Sequence, residues 1–171
     1  MLKELKSVPV DGIIIDLRRN GGGFLNEAVD LTGLFIDTGP VVQVKDNRGR
    51  INVEWDNNSG EIYDGPLAVI IDRFSASASE IFAAAIQDYG RGIIVGGQSF
   101  GKGTVQRPIN LNQIMRRNDN VFGQIKLTTA KFYRVNGGST QHVGVTPDIS
   151  FPSRYSFMDI GESKQKNALL W

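Results

Sequence analysis

Leu67-Ala-Val-Ile-Ile71-Asp72-Arg-Phe-Ser75-Ala-Ser-Ala-Ser-Glu80-Ile-Phe-Ala-Ala-Ala-Ile-Gln-Asp88-Tyr-Gly90-Arg91-Gly-Ile93-Ile-Val95 decides the fold of this chain of 171 residues. An apolar run at 67–71 is too short for a buried helix and reads as a buried strand. A helix over 77–89 follows, closed by Gly90, a residue suited to the left-handed cap. Ile93–Val95 is the next strand. Strand, helix and strand in succession imply a parallel pair with a crossover helix.

Working outward, Ile13-Ile-Ile15 reads as a fully buried strand ending near Leu17 and broken by Gly21-Gly-Gly23. Phe24, Leu25, Ala28, Leu31, Leu34 and Phe35 recur at helical spacing, giving a helix over 24–36. Val41–Val44 and Ile51–Trp55 form a hairpin about the turn cluster Asn47-Arg48-Gly49, and 56–66 is a polar surface loop. Later the pattern changes. Phe122–Lys126, Thr129–Val135 and the Asn136-Gly137-Gly138 turn predict antiparallel strands. The fold class is α/β with antiparallel strands towards the C-terminus. Residues 1–151 form the core. From Pro152 to 171 the periodicity fades, and a poorly ordered or partner-dependent tail is expected.

Bulk properties narrow the function. Hydrophobic residues make up 40%, charged residues 22%, and the net charge is +1, ordinary for a globular protein and without the basic footprint of nucleic-acid binding. Arg116-Arg117 is followed at once by Asn118-Asp119 and reads as a solvated loop. Cysteine is absent, so thiolate metal sites and disulfides are excluded. No apolar run reaches the ~20 residues that span a bilayer, and no signal peptide opens the chain. Met1-Leu-Lys-Glu-Leu-Lys6 reads as the end of an amphipathic helix.

The chemistry gathers in two segments. Ser77 and Glu80 have capping-box spacing, serine at N-cap and glutamate at N3. A serine there can simply cap. It also sits beside unpaired N–H groups and the positive end of the dipole, where an oxyanion is stabilised; the Ala78 N–H is the natural first donor. Ser75 and Ser79 are rivals that spacing does not separate. Lys102, in Phe100-Gly-Lys-Gly103, can serve as a base only if burial lowers its pKa from about 10.4. Gln106 would touch it on a helical turn but lie roughly 13 Å away on a strand. If Gln106 orients the lysine, residues 102–106 must therefore coil. Asp88 lies roughly 16 Å along the helix from Ser77, so it supports structure and calls for a cation such as Arg91 or Arg18. Asn20-Gly21-Gly22-Gly23 can lend a second oxyanion donor from Gly22 or Gly23.

These segments, with Asp16-Leu-Arg-Arg-Asn-Gly-Gly-Gly23, Asp88-Tyr-Gly-Arg91, Lys131-Phe-Tyr-Arg-Val-Asn-Gly-Gly-Ser-Thr-Gln141 and Gly144-Val-Thr-Pro-Asp148, resemble the carboxy-terminal processing peptidases, nearest their bacterial tail-specific branch. The resemblance runs from about residue 11 to 149. It implies a crotonase-like core of repeated strand–strand–helix units and a serine endopeptidase that cuts proteins near their C-termini. It places the nucleophile on Ser77, the base on Lys102, the residue orienting it on Gln106, the oxyanion donors on Ala78 and Gly22 or Gly23, and a supporting role on Asp88. It implies no metal or cofactor, polypeptide substrates with exposed C-termini, room for a homo-oligomer and an adaptor protein, and a periplasmic or envelope location. The family's PDZ domain and flanking helical regions find no room here, so the piece alone is expected to bind weakly or be inactive.

Three other readings compete. Gly96-Gly-Gln-Ser-Phe-Gly101-Lys102 nearly matches a P-loop, with Leu67–Asp72 as the metal-binding strand, but Gly103 stands where a hydroxyl should hold Mg²⁺ and Pro108 stops the helix that should follow. His142 offers a histidine-based triad, although its polar turn suits a surface residue. A non-catalytic binding module of the same fold is the third.

Overall fold

The computed structural model describes residues 10–115 and 122–170; the first six residues and the Arg116–Asp119 run lie outside it. The strands β1 (Ile13–Asp16), β4 (Leu67–Ile71), β5 (Ile93–Gly96) and β8 (Ile149–Ser150) form one parallel sheet in the order β1-β4-β5-β8. The strands β2 (Gly39–Asp46), β3 (Ile51–Asp56), β6 (Thr104–Asn110) and β7 (Gln124–Tyr133) form an antiparallel sheet in the order β3-β2-β7-β6. The helices α1 (Leu25–Gly33) and α2 (Ala78–Asp88) pack on each other between the sheets, and α3 (Leu111–Met115) follows β6.

Helix α2 shows why the layers form. All its side chains from Ser79 to Ile86 are buried, and a helix apolar all round must be covered on every side. Phe82, Ala83 and Ile86 join Val69, Ile71 and Ile94 of the parallel sheet. Ile81 and Ala85 join Val41, Val42 and Phe132 of the antiparallel one. The α2 N-terminus is thereby held where both sheets meet it.

The strand–helix–strand unit and the 39–56 hairpin stand as expected, with small differences at their ends. Three expectations are corrected. β1 is an edge strand, and Ile14 is 68% exposed, so it is not fully buried. Residues 124–133 are one strand rather than two, because their first part pairs with β6 and their last with β2. Residues 104–110 form a strand that the sequence pattern did not assign; β6 lies at the sheet edge, where the missing N–H of Pro108 is tolerated. The tail is not loose: it turns through a 3₁₀ segment (Glu162–Lys164) and bonds back to the core.

Candidate active site

Between β4 and α2 the chain makes a tight turn, and its serines divide their work. Ser75 Oγ accepts the Asp72 N–H at 2.9 Å and donates to Leu17 O at 2.8 Å. Ser79 Oγ donates to Asn20 O at 3.0 Å. Both hydroxyls stitch this turn to the one after β1. Ser77 differs: at the N-cap its backbone is at φ 58°, ψ −116°, a region an L-residue occupies at a cost of about 1–3 kcal/mol. Such strain persists only where the surroundings enforce it. Here the Ser77 N–H donates to Glu80 Oε2 at 2.8 Å, and Ser77 faces an open cleft of about 600 Å³.

Glu80 does more than close a capping box. Its Oε2 also accepts the Lys102 N–H at 2.9 Å, and its Oε1 accepts the Gly101 N–H at 2.7 Å and the Ser99 hydroxyl at 2.5 Å. One buried carboxylate thus ties the nucleophile candidate to the lysine loop. Burial pushes its pKa up to about 7, against those four hydrogen bonds, which favour the ionised form. Sequence reading missed this role. The glutamate was visible as N3 of a cap, but its partners 19 to 22 residues on are one serine hydroxyl and two backbone N–H groups, which leave no pattern.

The lysine loop is held along its length. Phe100 N–H donates to Ser75 O, His142 N–H to Gly101 O, Phe132 N–H to Gly103 O, and Gly103 N–H to Gln141 Oε1. Half-buried Lys102 projects into the same cleft as Ser77 and donates from Nζ to Thr104 O at 3.0 Å. Burial lowers its pKa below the ordinary lysine value; the charges of Glu162 and Glu80 oppose that, and Lys126 reinforces it. The coil expected at 102–106 is absent, since β6 starts at Thr104. Gln106 stands on the cleft wall just past a register shift between Val105 and Gln106, and such an irregularity re-aims side chains.

Opposite Ser77 lies the glycine turn. Gly22 has φ +98°, and a Cβ there would stand 2.6 Å from Ala76 O and 2.9 Å from Ala78 N. Its own N–H is taken by Asn20 Oδ1 at 3.0 Å. The N–H groups of Ala78 and Gly23 enter no hydrogen bond among the described residues, so of the two glycines Gly23 is the better donor. Gly22→Ala is expected to push the turn off Ser77 and to lower kcat of the complete enzyme by roughly 10²-fold, the scale of losing one oxyanion donor. Unchanged turnover in that variant would show the close approach to be dispensable.

Asp88 sits away from this cleft. Its carboxylate takes Arg134 at 2.6 Å and the Asn136 amide at 2.8 Å. The expected cations are engaged elsewhere: Arg91 donates to Phe35 O and Tyr63 O, and Arg18 pairs with Asp16. Arg134 belongs to the segment after β7, which helical reach along α2 does not foretell. The P-loop reading fails on geometry, because the N–H groups of 101, 102 and 103 point at Glu80 and Gln141 and the loop leads into a strand. His142 is half-buried rather than solvated, with φ 67° and a buried Nε2 that finds no hydrogen-bond partner among the described residues. Its backbone holds the lysine loop.

The profile of peptidase family S41 matches residues 1–151. The chain is 53% identical over its full length to the tail-specific protease of Haemophilus influenzae, of which it spans 25%. It is 38% identical over 95% of its length to the carboxy-terminal-processing protease of Bartonella bacilliformis, of which it spans 38%. Among solved structures, the photosystem II D1 C-terminal processing protease superposes on 87% of the chain, with a TM-score of 0.73 at 32% identity and 36% of that chain covered.

Proposed function

Because the chain belongs to peptidase family S41, we propose that it is the catalytic core of a serine endopeptidase that cleaves polypeptides near their C-termini. Ser77 Oγ gives its proton to neutral Lys102 Nζ and forms a bond to the scissile carbonyl carbon. The developing oxyanion rests on the N–H groups of Ala78 and Gly23. The C–N bond then breaks, the amine leaves with the proton from Lys102, and water attacks the ester by the reverse proton route. Gln106 steadies the lysine once Nζ leaves Thr104 O. Asp88 keeps its supporting part through Arg134.

The observation that carries this reading is Glu80 Oε2, which accepts the N–H of both Ser77 and Lys102 and so fixes both backbones at one cleft. Beside the oxyanion donors lies an apolar hollow of about 260 Å³, lined in part by Leu17, Phe24, Ala28, Leu31 and Phe82, suited to an uncharged side chain at the carbonyl under attack. The chain spans a quarter to two-fifths of the length of these curated relatives. Exposed C-termini as substrates, a periplasmic or envelope location, self-association and an adaptor belong to the same proposal.

Reaction with a fluorophosphonate tests the nucleophile without needing a substrate. One adduct is expected, located on Ser77 by mass spectrometry, absent from Ser77→Ala and retained in His142→Ala. Labelling should rise with pH as Lys102 loses its proton. An adduct on Ser75 or Ser79, or none at all in the complete enzyme, would overturn the assignment; the latter would favour a binding module.

A further inference from the structure

The segment after residue 152 returns to the lysine loop and brackets it. Glu162 N–H donates to Phe100 O at 2.9 Å. Buried Gln141 joins tail to loop: its Oε1 accepts the Gly103 N–H at 2.7 Å, while its Nε2 donates to Leu169 O at 2.9 Å and lies 3.5 Å from Glu162 Oε1. Lys131, on the strand whose Phe132 holds Gly103 O, donates to Leu170 O at 2.7 Å. Gly161, at φ +140°, packs so close that a Cβ would stand 3.1 Å from Phe100 O.

We infer that residues 161–170 strap the active site, with Glu162 a positioning residue whose backbone holds the lysine loop and whose carboxylate supplies a charge to Lys102. The inference rests on Lys102 as the base. The other charges acting on that amine are Glu80 from α2 and Lys126 from β7. Around Glu162, Lys164 pairs with Asp159 at 3.0 Å, and His142 follows Gln141 on its turn.

The strap has a consequence for regulation. A carboxylate near Lys102 favours the ammonium form, so Glu162 opposes the burial that prepares the base. Lifting the strap removes that charge but also frees Phe100 O and the Nε2 end of Gln141, the side chain that holds the Gly103 N–H, so loop geometry and base strength change together. Whatever moves residues 161–170 thus reaches the catalytic amine without entering the cleft.

The test is the titration of Lys102 itself, followed by NMR of ¹³Cε-labelled lysine and assigned by its loss in Lys102→Ala. Glu162→Gln keeps the backbone bond and the reach to Gln141 but removes the charge. Its Lys102 midpoint is expected to fall by at least roughly 0.3 pH units, what a unit charge several ångströms away is worth even in a water-like dielectric. Glu162→Asp should return it towards the unsubstituted value, and the acid limb of proteolysis by the complete enzyme should move to lower pH with the Gln variant. An unmoved midpoint in Glu162→Gln, or the same displacement in Glu162→Asp, would overturn the inference. Loss of the base assignment would register differently, as full proteolysis by Lys102→Ala with the Glu162 effect on titration intact.

Discussion

Lys102→Ala is expected to lower kcat/KM for an unfolded polypeptide by roughly 10³-fold or more, the scale of removing a general base from a nucleophile it activates. Lys102→Arg should be as inactive, because a guanidinium stays protonated and cannot accept the serine proton. That control separates a base from a mere positive charge in the cleft. The unsubstituted enzyme should gain activity as pH rises through the midpoint of Lys102, and this limb should lie below the ordinary lysine value because burial depresses it. The stability effect runs in the same direction as the activity effect. A depressed folded-state pKa means that the native state binds fewer protons than the unfolded one, so stability associated with Lys102 is lost as pH falls through that window. Lys102→Met therefore should not lower Tm at neutral pH, and an increase would agree with a group kept for chemistry at some cost to the fold. Steady-state proteolysis across pH and thermal melts of the three variants check this; Lys102→Arg working at the native rate would refute it.

What could be read from the sequence was whatever depends on local pattern. The apolar run at 67–71, the uninterrupted apolar helix after it and the Asn47-Arg48-Gly49 turn each carry their own signal, and from them follow the parallel unit, its crossover helix and the hairpin. The cap at Ser77 was legible because a cap position is a local property, whereas the choice of Ser77 over Ser75 and Ser79 as nucleophile came from the resemblance. Interactions across sequence distance were not. Asp88 finds Arg134 rather than Arg91 because β7 delivers that arginine to the end of α2, a matter of topology. β6 was not assigned, and its Pro108 is accommodated by an edge position in the antiparallel sheet. The clamp at Glu80 and the strap at Glu162 act largely through backbone N–H and carbonyl groups, which every residue has and no composition reveals.

Glu80→Ala is expected to be the most damaging change to site and fold together. It leaves the N–H groups of Ser77, Gly101 and Lys102 and the Ser99 hydroxyl without their acceptor. Each buried polar group so orphaned costs about 1–3 kcal/mol, so a net loss of roughly 3–5 kcal/mol is reasonable once water enters the gap. Activity should fall further than the folded fraction does, because Ser77 holds its positive φ only while its N–H is anchored. Glu80→Gln divides the two effects. Its amide oxygen can keep Ser77 and Lys102 while its NH₂ turns to Ser99, leaving Gly101 as the group that loses most, so it should be more stable and more active than Glu80→Ala. The pH dependence gives an independent reading. With a folded-state pKa raised to about 7 from 4.5, the stability associated with Glu80 is fully present below about 4.5 and is lost as pH rises through about 7. Between those limits the unsubstituted protein should lose stability from this group as pH rises, and Glu80→Gln should flatten that slope. Catalysis needs the opposite state, the ionised carboxylate with all four donors in place. Melts at pH 5 and pH 8, set beside turnover of the same variants, report the two separately; native stability and turnover in Glu80→Ala would mean that the carboxylate holds neither segment.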